Sequence, residues 1–188
     1  HFDHTGGVNK LESRYGSKVI AGGQGEVQLG NGTVRVIETP GHTRDSVCYY
    51  IDSAGHEAGV LFTGDTLFIG GCGRCMGCDA ATMWESLKRI AALPEDTLVY
   101  PGHNYTQENY EFALTVDRDD PEITELLRQV RESPVGGDAV LPSTVGREKN
   151  TNIFLRSGQE KVKALAGMAG AGDSEVFAEL RRKKNFFG

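Results

Sequence analysis

Apolar and polar positions change rhythm about halfway along the chain. In the first half the apolar residues fall in short runs: Lys18–Ala21, Glu26–Leu29, Thr33–Glu38, Ser46–Ile51 and Val60–Phe62. Each run is bounded by Gly, Asn-Gly, Pro-Gly or Asp-Ser, so each predicts a strand closed by a turn. Gly30-Asn31-Gly32, between two of these runs, is a hairpin signal. Ahead of them an opening loop leads into a short helix over Asn9 to Tyr15, ended by Gly16. From residue 79 the period lengthens to that of a helix. Asp79 caps a segment in which Met83, Leu87, Ile90 and Ala91 share a face, ending near Pro94. Thr97–Tyr100 predicts one more strand, stopped by Pro101-Gly102. Beyond it the pattern is almost wholly helical. Asp120-Pro121 reads as an N-cap with Pro in the first turn, and Ile123, Leu126, Leu127 and Val130 form the stripe. A loop rich in Gly, Pro and Ser spans 133–147, and two shorter helices follow near 159–166 and 174–184. Strands first and helices last predict an α+β fold: a core over 1–104 and a helical C-terminal lobe over 105–188.

The 188 residues suit one domain, or one domain with a small attached lobe. Hydrophobic residues at 38% and charged residues at 24% are enough to bury a core. Twenty basic against twenty-six acidic residues leave a net charge of −6, which argues against a nucleic-acid partner. The apolar runs are far shorter than the roughly 18 residues of a membrane span, so no membrane partner is expected. Four Cys in this length do not suggest a disulfide-stapled domain. Twenty-five Gly without a repeat point to tight turns and close backbone approaches.

Of the five His, four sit at turns that end or follow predicted strands: His1, His4, His42 and His103. Asp3 and Asp65 occupy similar places. A single His is usually a surface or core residue. Four with two Asp, each beside Gly or at a strand end, point instead to a metal site of imidazoles and carboxylates, suited to Zn, Fe or Mn.

His1-x-Asp3-His4, Thr39-Pro40-Gly41-His42-Thr43, Gly64-Asp65-Thr66 and Pro101-Gly102-His103 resemble, in order and spacing, the successive motifs of the metallo-β-lactamase superfamily. Within it the chain most resembles glyoxalase II, the hydroxyacylglutathione hydrolases. Phe62 to Phe68 with Gly71-Cys72-Gly73-Arg74 carries that likeness, as does Tyr100 to Thr106. So do the segment Arg147 to Arg156 and the basic terminal helix with Leu180-Arg181-Arg182-Lys183-Lys184. The resemblance implies an αββα sandwich with a C-terminal helical lobe. The family's first motif is His-x-His-x-Asp-His and this sequence starts at its second His, so the N-terminal part of the sandwich is expected to be missing.

The resemblance further implies two divalent metal ions. One would be held by His1, His42 and the upstream His, the other by Asp3, His4 and His103, with Asp65 bridging. Asp65 and Asp3 would thus hold a hydroxide that attacks S-D-lactoylglutathione, giving glutathione and D-lactate in methylglyoxal detoxification. The thiolate, from an acid of pKa near 8.5 by analogy with Cys, can leave with little proton assistance. Arg74, Tyr105, Arg181 and Lys184 match the family's contacts to the glutathione moiety. The plainer alternatives are packing for Tyr105 and helix-terminal charge for Arg181 to Lys184.

The chain departs from the family at Cys75-Met76-Gly77-Cys78, where an aromatic pair and Glu-Gly are usual, which puts one glutathione contact in doubt. Cys72, Cys75 and Cys78 have a spacing that by itself suggests iron–sulfur or zinc ligation. Without a fourth Cys nearby, exposed, oxidisable thiols are the expectation. Three other features are expected to be structural: His56 in a solvated loop, Trp84 packed on the sheet, and Asp117 to Asp120 as a solvated turn and helix cap. Two rivals stand beside the hydrolase. One is a glutathione persulfide dioxygenase with one iron; the other is an inactive fragment whose uncovered sheet edge pairs with another chain. A cytoplasmic monomer is expected, with the mitochondrion as the alternative compartment.

Overall fold

A six-stranded sheet organises the first part of the chain. The computed structural model describes residues 1–20, 22–23, 25–30, 32–52 and 58–187. The strands are β1 (Glu26–Leu29), β2 (Gly32–Glu38), β3 (Val47–Ile51), β4 (Val60–Gly64), β7 (Leu98–Pro101) and β8 (Ser143–Thr144), in the spatial order β1-β2-β3-β4-β7-β8. Neighbours are antiparallel except β4 and β7, which run parallel and are joined through α3 (Ala80–Ala91). A small hairpin of β5 (Leu67–Phe68) and β6 (Gly71–Cys72) follows β4.

Strand alternation gives the sheet two unlike faces. Cys48, Tyr50, Leu61 and Val99 are buried in one core with Met83, Leu87 and Ile90 of α3. The other face carries Phe62, 45% exposed, stacked at 5.7 Å on Tyr100, 36% exposed. A cavity separates part of it from α2 (Val8–Tyr15), with Val8 and Leu11 lining one side and Tyr49, Ile51 and Phe62 the other; Gly16 ends α2 in the left-handed conformation, φ 64°.

Beyond β7 the chain forms α4 (Thr106–Val116), α5 (Pro121–Glu132), α6 (Val145–Thr151), α7 (Glu160–Leu165) and α8 (Asp173–Asn185). Their shared core is aromatic, with Phe154 stacked at 5.8 Å on Phe112 and edge-on at 6.0 Å to Phe177. Asp79 and Asp120 cap α3 and α5 through the amides of Thr82, Glu122 and Ile123, as their positions before the apolar stripes predict.

Several expectations are corrected. The opening loop contains a one-turn helix, α1 (Phe2–Thr5). Lys18–Ile20 is not a strand, and Ala21 lies outside the described residues. Val19 and Ile20 lie instead beside α2 against Tyr49, whose hydroxyl donates to the Ile20 carbonyl at 2.5 Å. Their apolar side chains are served by the open sheet face without strand pairing. The 133–147 loop contains a 3₁₀ turn over Gly136–Val140 and then β8, which pairs with β7 through Leu98↔Thr144 and Val99↔Ser143. Trp84 is buried in the core that includes Cys48, Leu61 and Val99 of the sheet, and stacks on Phe177 of α8 at 5.8 Å. The Asp117–Asp120 turn is not solvated at its ends, because both carboxylates are buried around Arg156, at 2.8 and 3.0 Å. His56 and the hairpin's Asn31 lie outside the described residues.

Candidate metal centre

Strands β2, β4 and β7 point the same way, since β3 is antiparallel to both β2 and β4 while β7 is parallel to β4. Their C-terminal ends therefore meet at one end of the sheet. His42 follows β2, Asp65 follows β4 and His103 follows β7, while α1 brings His1, Asp3 and His4 over the same end. The six side chains singled out from the sequence converge there. Donor atoms of His1, His42 and Asp65 form one group and those of Asp3, His4 and His103 another, each spanning no more than 4.8 Å.

Asp65 stands between the groups. Its Oδ2 lies 3.1 Å from His4 Nε2 and 3.3 Å from His42 Nε2, and its Oδ1 lies 3.6 Å from His103 Nε2. His42 Nε2 faces His1 Nδ1 at 3.3 Å, and His103 Nε2 faces His4 Nε2 at 3.2 Å. Asp3 Oδ2 is 3.3 Å from His103 Nε2. Facing imidazole nitrogens with a carboxylate alongside aim several lone pairs at a small shared volume, as a cation requires. Asp65 Oδ1 is buried with no hydrogen-bond partner. An orphaned carboxylate oxygen between two ligand groups is costly without a cation and satisfied by one. The residues present fit divalent metal.

The supporting shell fixes this geometry. His42 Nδ1 lies 3.0 Å from the Arg74 carbonyl, an acceptor, which puts the proton on Nδ1 and leaves the Nε2 lone pair facing Asp65. A Cβ at Gly73 would lie 2.0 Å from the Asp65 carbonyl oxygen. One at Gly102 would lie 2.8 Å from both Asp65 Oδ1 and His4 Cε1. Glycine at both positions lets the backbone close on the site.

A cavity of about 360 Å³ opens beside these His and Asp side chains, and Arg74, Tyr105, Arg181 and Lys184 all line it. Tyr105 stacks on His103 at 5.3 Å, so it packs and also borders the cavity. Arg181 of α8 donates to the Cys72 carbonyl at 2.8 Å and lies 5.0 Å over the Phe154 ring. Lys184 is 6% exposed, lies over the Phe187 ring at 4.9 Å and is ion-paired with Glu108 of α4. Burial lowers the Lys184 pKa; Glu108 opposes that, and Arg181 and Arg74 add to it. Both terminal-helix cations thus face inward rather than simply decorating a helix end.

Met76 also lines the cavity and is exposed. The expectation of exposed thiols is corrected at Cys72, which is buried. Its pKa is pushed up to about 12 by burial, against a partial offset from Arg181. Cys75 and Cys78 are half-buried, and burial also raises Cys75. Among the described residues the three cysteines form no group close enough to hold an ion.

Glu108 and Asn109 were not singled out in sequence. Their signal was helical spacing, three and four residues after Tyr105 on one face of α4. Asn109 Nδ2 donates to the Ile69 carbonyl at 3.0 Å, while Glu148 and Asn152 of the helical lobe also grip the β5–β6 hairpin.

Two family models match the chain: the metallo-beta-lactamase superfamily over residues 14–103 and the hydroxyacylglutathione hydrolase C-terminus over residues 104–187. The hydroxyacylglutathione hydrolase of Rhizobium meliloti (strain 1021) is 42% identical over 203 residues, taking in 100% of this chain and 77% of the relative. That of Maricaulis maris (strain MCS10) is 39% identical over 202 residues, with the same shares. Among solved structures, ETHE1 from Myxococcus xanthus aligns with a TM-score of 0.59 at 24% identity, covering 96% of this chain and 64% of that one. That likeness speaks to the fold alone. The fold is that of the metallo-β-lactamase superfamily, with a helical lobe. The chain belongs to the hydroxyacylglutathione hydrolase family.

Proposed function

We propose that this chain, a thiolester hydrolase by its family, acts on S-2-hydroxyacyl glutathione, with S-D-lactoylglutathione giving glutathione and D-lactate. The observation that carries the reading is the juxtaposition of two groups of candidate ligands, with Asp65 of the first also 3.1 Å from His4 of the second, and a cavity lined by Arg74, Arg181 and Lys184. We assign one divalent ion to His1 and His42 and another to Asp3, His4 and His103, with Asp65 serving both; Zn, Fe and Mn suit this donor set. Metal binding belongs to 1–104 and most substrate contacts to 105–188.

When bound, such a pair of ions supplies Lewis acidity toward the thiolester carbonyl and lowers the pKa of water towards neutrality. The chain's own residues do the rest. The Arg74 carbonyl holds His42 in one tautomer, and Gly73 and Gly102 let the backbone press the ligands together. Asp3 acts as a ligand and not as a base, since a coordinated carboxylate accepts a proton poorly. Arg74, Arg181 and Lys184 draw the carboxylates of glutathione into the cavity, and Phe68 and Tyr105, edge to face at 5.2 Å, give it an apolar wall. No described helix is long and apolar enough to cross a membrane. The free cysteines fit a reducing compartment, and we assign the chain to the cytoplasm.

The test pairs elemental analysis of the purified chain with turnover of S-D-lactoylglutathione. About two ions per chain and loss of the thiolester are expected. Metal-loaded chain that leaves the thiolester intact would sink the substrate assignment. A single iron with oxidation of glutathione persulfide would favour the dioxygenase instead.

A further inference from the structure

Lys184 is, with Arg181, one of two buried cations of the cavity, and its ammonium is already engaged by a carboxylate of the same chain. Glu108 projects from α4 into that cavity with its side chain 54% exposed, and pairs with Lys184 across from α8. The Lys184 ammonium also lies 3.4 Å from the Glu108 main-chain carbonyl and 5.8 Å over the Phe112 ring. These oxygens and rings crowd the ammonium on the α4 side. The remaining access is through the cavity that Glu108 itself occupies. Arg181 is differently placed. It is committed to the Cys72 carbonyl and to Asn185, neither of which is a charged competitor. Arg74 is exposed and makes no ion pair among the described residues.

We propose that Glu108 is a specificity-determining residue, a built-in counter-ion that a substrate carboxylate must displace from Lys184. This rests on the reading of the cavity as the glutathione pocket. A carboxylate entering there cannot add a full new ion pair. It exchanges one carboxylate for another at Lys184 and leaves Glu108 nearby as a like charge. The pocket is therefore tuned against anionic ligands relative to a version without Glu108, and the penalty falls away for a ligand whose carboxylates are blocked. Burial of Lys184 accentuates the effect, because an ammonium with so little water depends on whichever carboxylate is present.

The sign of the effect separates this role from a structural one. If Glu108 only held Lys184 in place, removing its charge would weaken ligand binding. If it competes, binding tightens. The experiment is calorimetric titration of the metal-loaded protein with glutathione and with glutathione diethyl ester, on the parent chain and on Glu108→Gln. Inhibition of thiolester turnover by glutathione is measured in parallel. Glutathione is expected to bind Glu108→Gln roughly three- to tenfold more tightly. KM for the thiolester should fall by a similar factor, and the diester should show no gain. Glu108→Ser is the second variant, removing the charge with less steric bulk, and should tighten binding in the same direction.

Unchanged or weaker glutathione binding in both variants overturns the proposal. An equal gain for the diester overturns it as well, since the gain would then owe nothing to carboxylate competition. Failure of the parent chain to bind glutathione at all is a different result, because it removes the glutathione pocket itself.

Discussion

Two aspartates, Asp65 half-buried and Asp117 buried, show how differently a carboxylate can be accommodated in this chain. Asp65 keeps one oxygen without a protein partner between two imidazole groups, a position that suits a cation. Asp117 is held through Oδ2 by two cations, Arg156 and Lys161, each at 2.8 Å. Burial pushes the Asp117 carboxyl up, yet the hydrogen bonds from Lys161 and Arg156 outweigh it and hold the pKa below the usual range. A depressed folded pKa contributes stability that is present above the unfolded value and lost as pH falls through the folded one. The chain should therefore lose stability as the pH drops below about 4. Arg156→Met leaves Asp117 with Lys161 alone and Asp120 without its cation. It should cost about 3 kcal/mol at neutral pH and flatten the acid decline, both read from urea unfolding at several pH values. A loss below about 1 kcal/mol would mean that the pair adds little. Sequence missed this arrangement because the partner lies 36 to 39 residues further on. Asp120 as a cap was legible from its neighbours alone. Glu108 was illegible for a related reason: one acidic residue on an amphipathic helix looks like any solvated position until α8 is brought against it.

The β5–β6 hairpin is the element through which the helical lobe reaches the candidate metal ligands. Glu148 accepts from the Gly70 amide at 2.9 Å, from Ser143 at 2.6 Å and from Asn152 at 2.9 Å, while Asn152 also donates to the Gly71 carbonyl at 2.9 Å. From that hairpin the chain runs directly into Gly73 and Arg74, which shape the Asp65 and His42 surroundings. Glu148→Ala leaves several buried donors unmatched and should destabilise by roughly 2–5 kcal/mol, with thiolester turnover falling alongside. Glu148→Gln can retain the pattern, since the Ser143 hydroxyl can accept as well as donate. Burial raises the Glu148 pKa, and Ser143, Asn152 and the Gly70 amide offset this only in part. A raised folded pKa in an acid means stability that is present below the unfolded value and lost as pH rises through the folded one. Glu148→Gln should therefore gain on the parent chain as pH climbs from about 4 towards neutrality, in the same denaturation series. A constant difference would place no titration at this carboxyl. The long periodic elements were legible: α3 and α5 showed stripes and caps, and β2 to β4 showed short apolar runs between turns. The two-residue strands β5, β6 and β8 were not, because a period needs more than two positions to appear. The segment from Arg147 to Arg156 was conspicuous only by resemblance. Its partners on the hairpin are 78 to 84 residues away, so its work in gripping the hairpin had no local signature.

Charge is distributed unevenly over the protein: a net −6 overall, yet a cavity bordered by Arg74, Arg181 and Lys184. The six candidate ligand side chains, which the fold brings together, could be picked from sequence because His and Asp beside Gly at strand ends are chemically distinctive. The balance of charge that an anionic substrate meets could not, because it depends on which cations are already spent. Two ranges of electrostatics compete here. A unit charge about 5 Å away in water is worth roughly 0.8 kcal/mol, and one about 20 Å away roughly a quarter of that before screening. At physiological ionic strength the Debye length of about 8 Å removes most of the distant repulsion and little of the contact attraction. The cavity's cations should therefore govern binding, despite the overall negative charge. Raising NaCl from about 0.1 to 0.5 M should then lift KM for a glutathione thiolester by roughly two- to fivefold, as attraction to the pocket is screened. Glu108→Gln should respond more steeply, since Lys184 then meets the substrate without a competing carboxylate. Steady-state kinetics across a salt series measures both slopes. A KM that falls with salt would mean that the distant acidic surface sets substrate capture and that the cavity's cations are largely neutralised by their own neighbours.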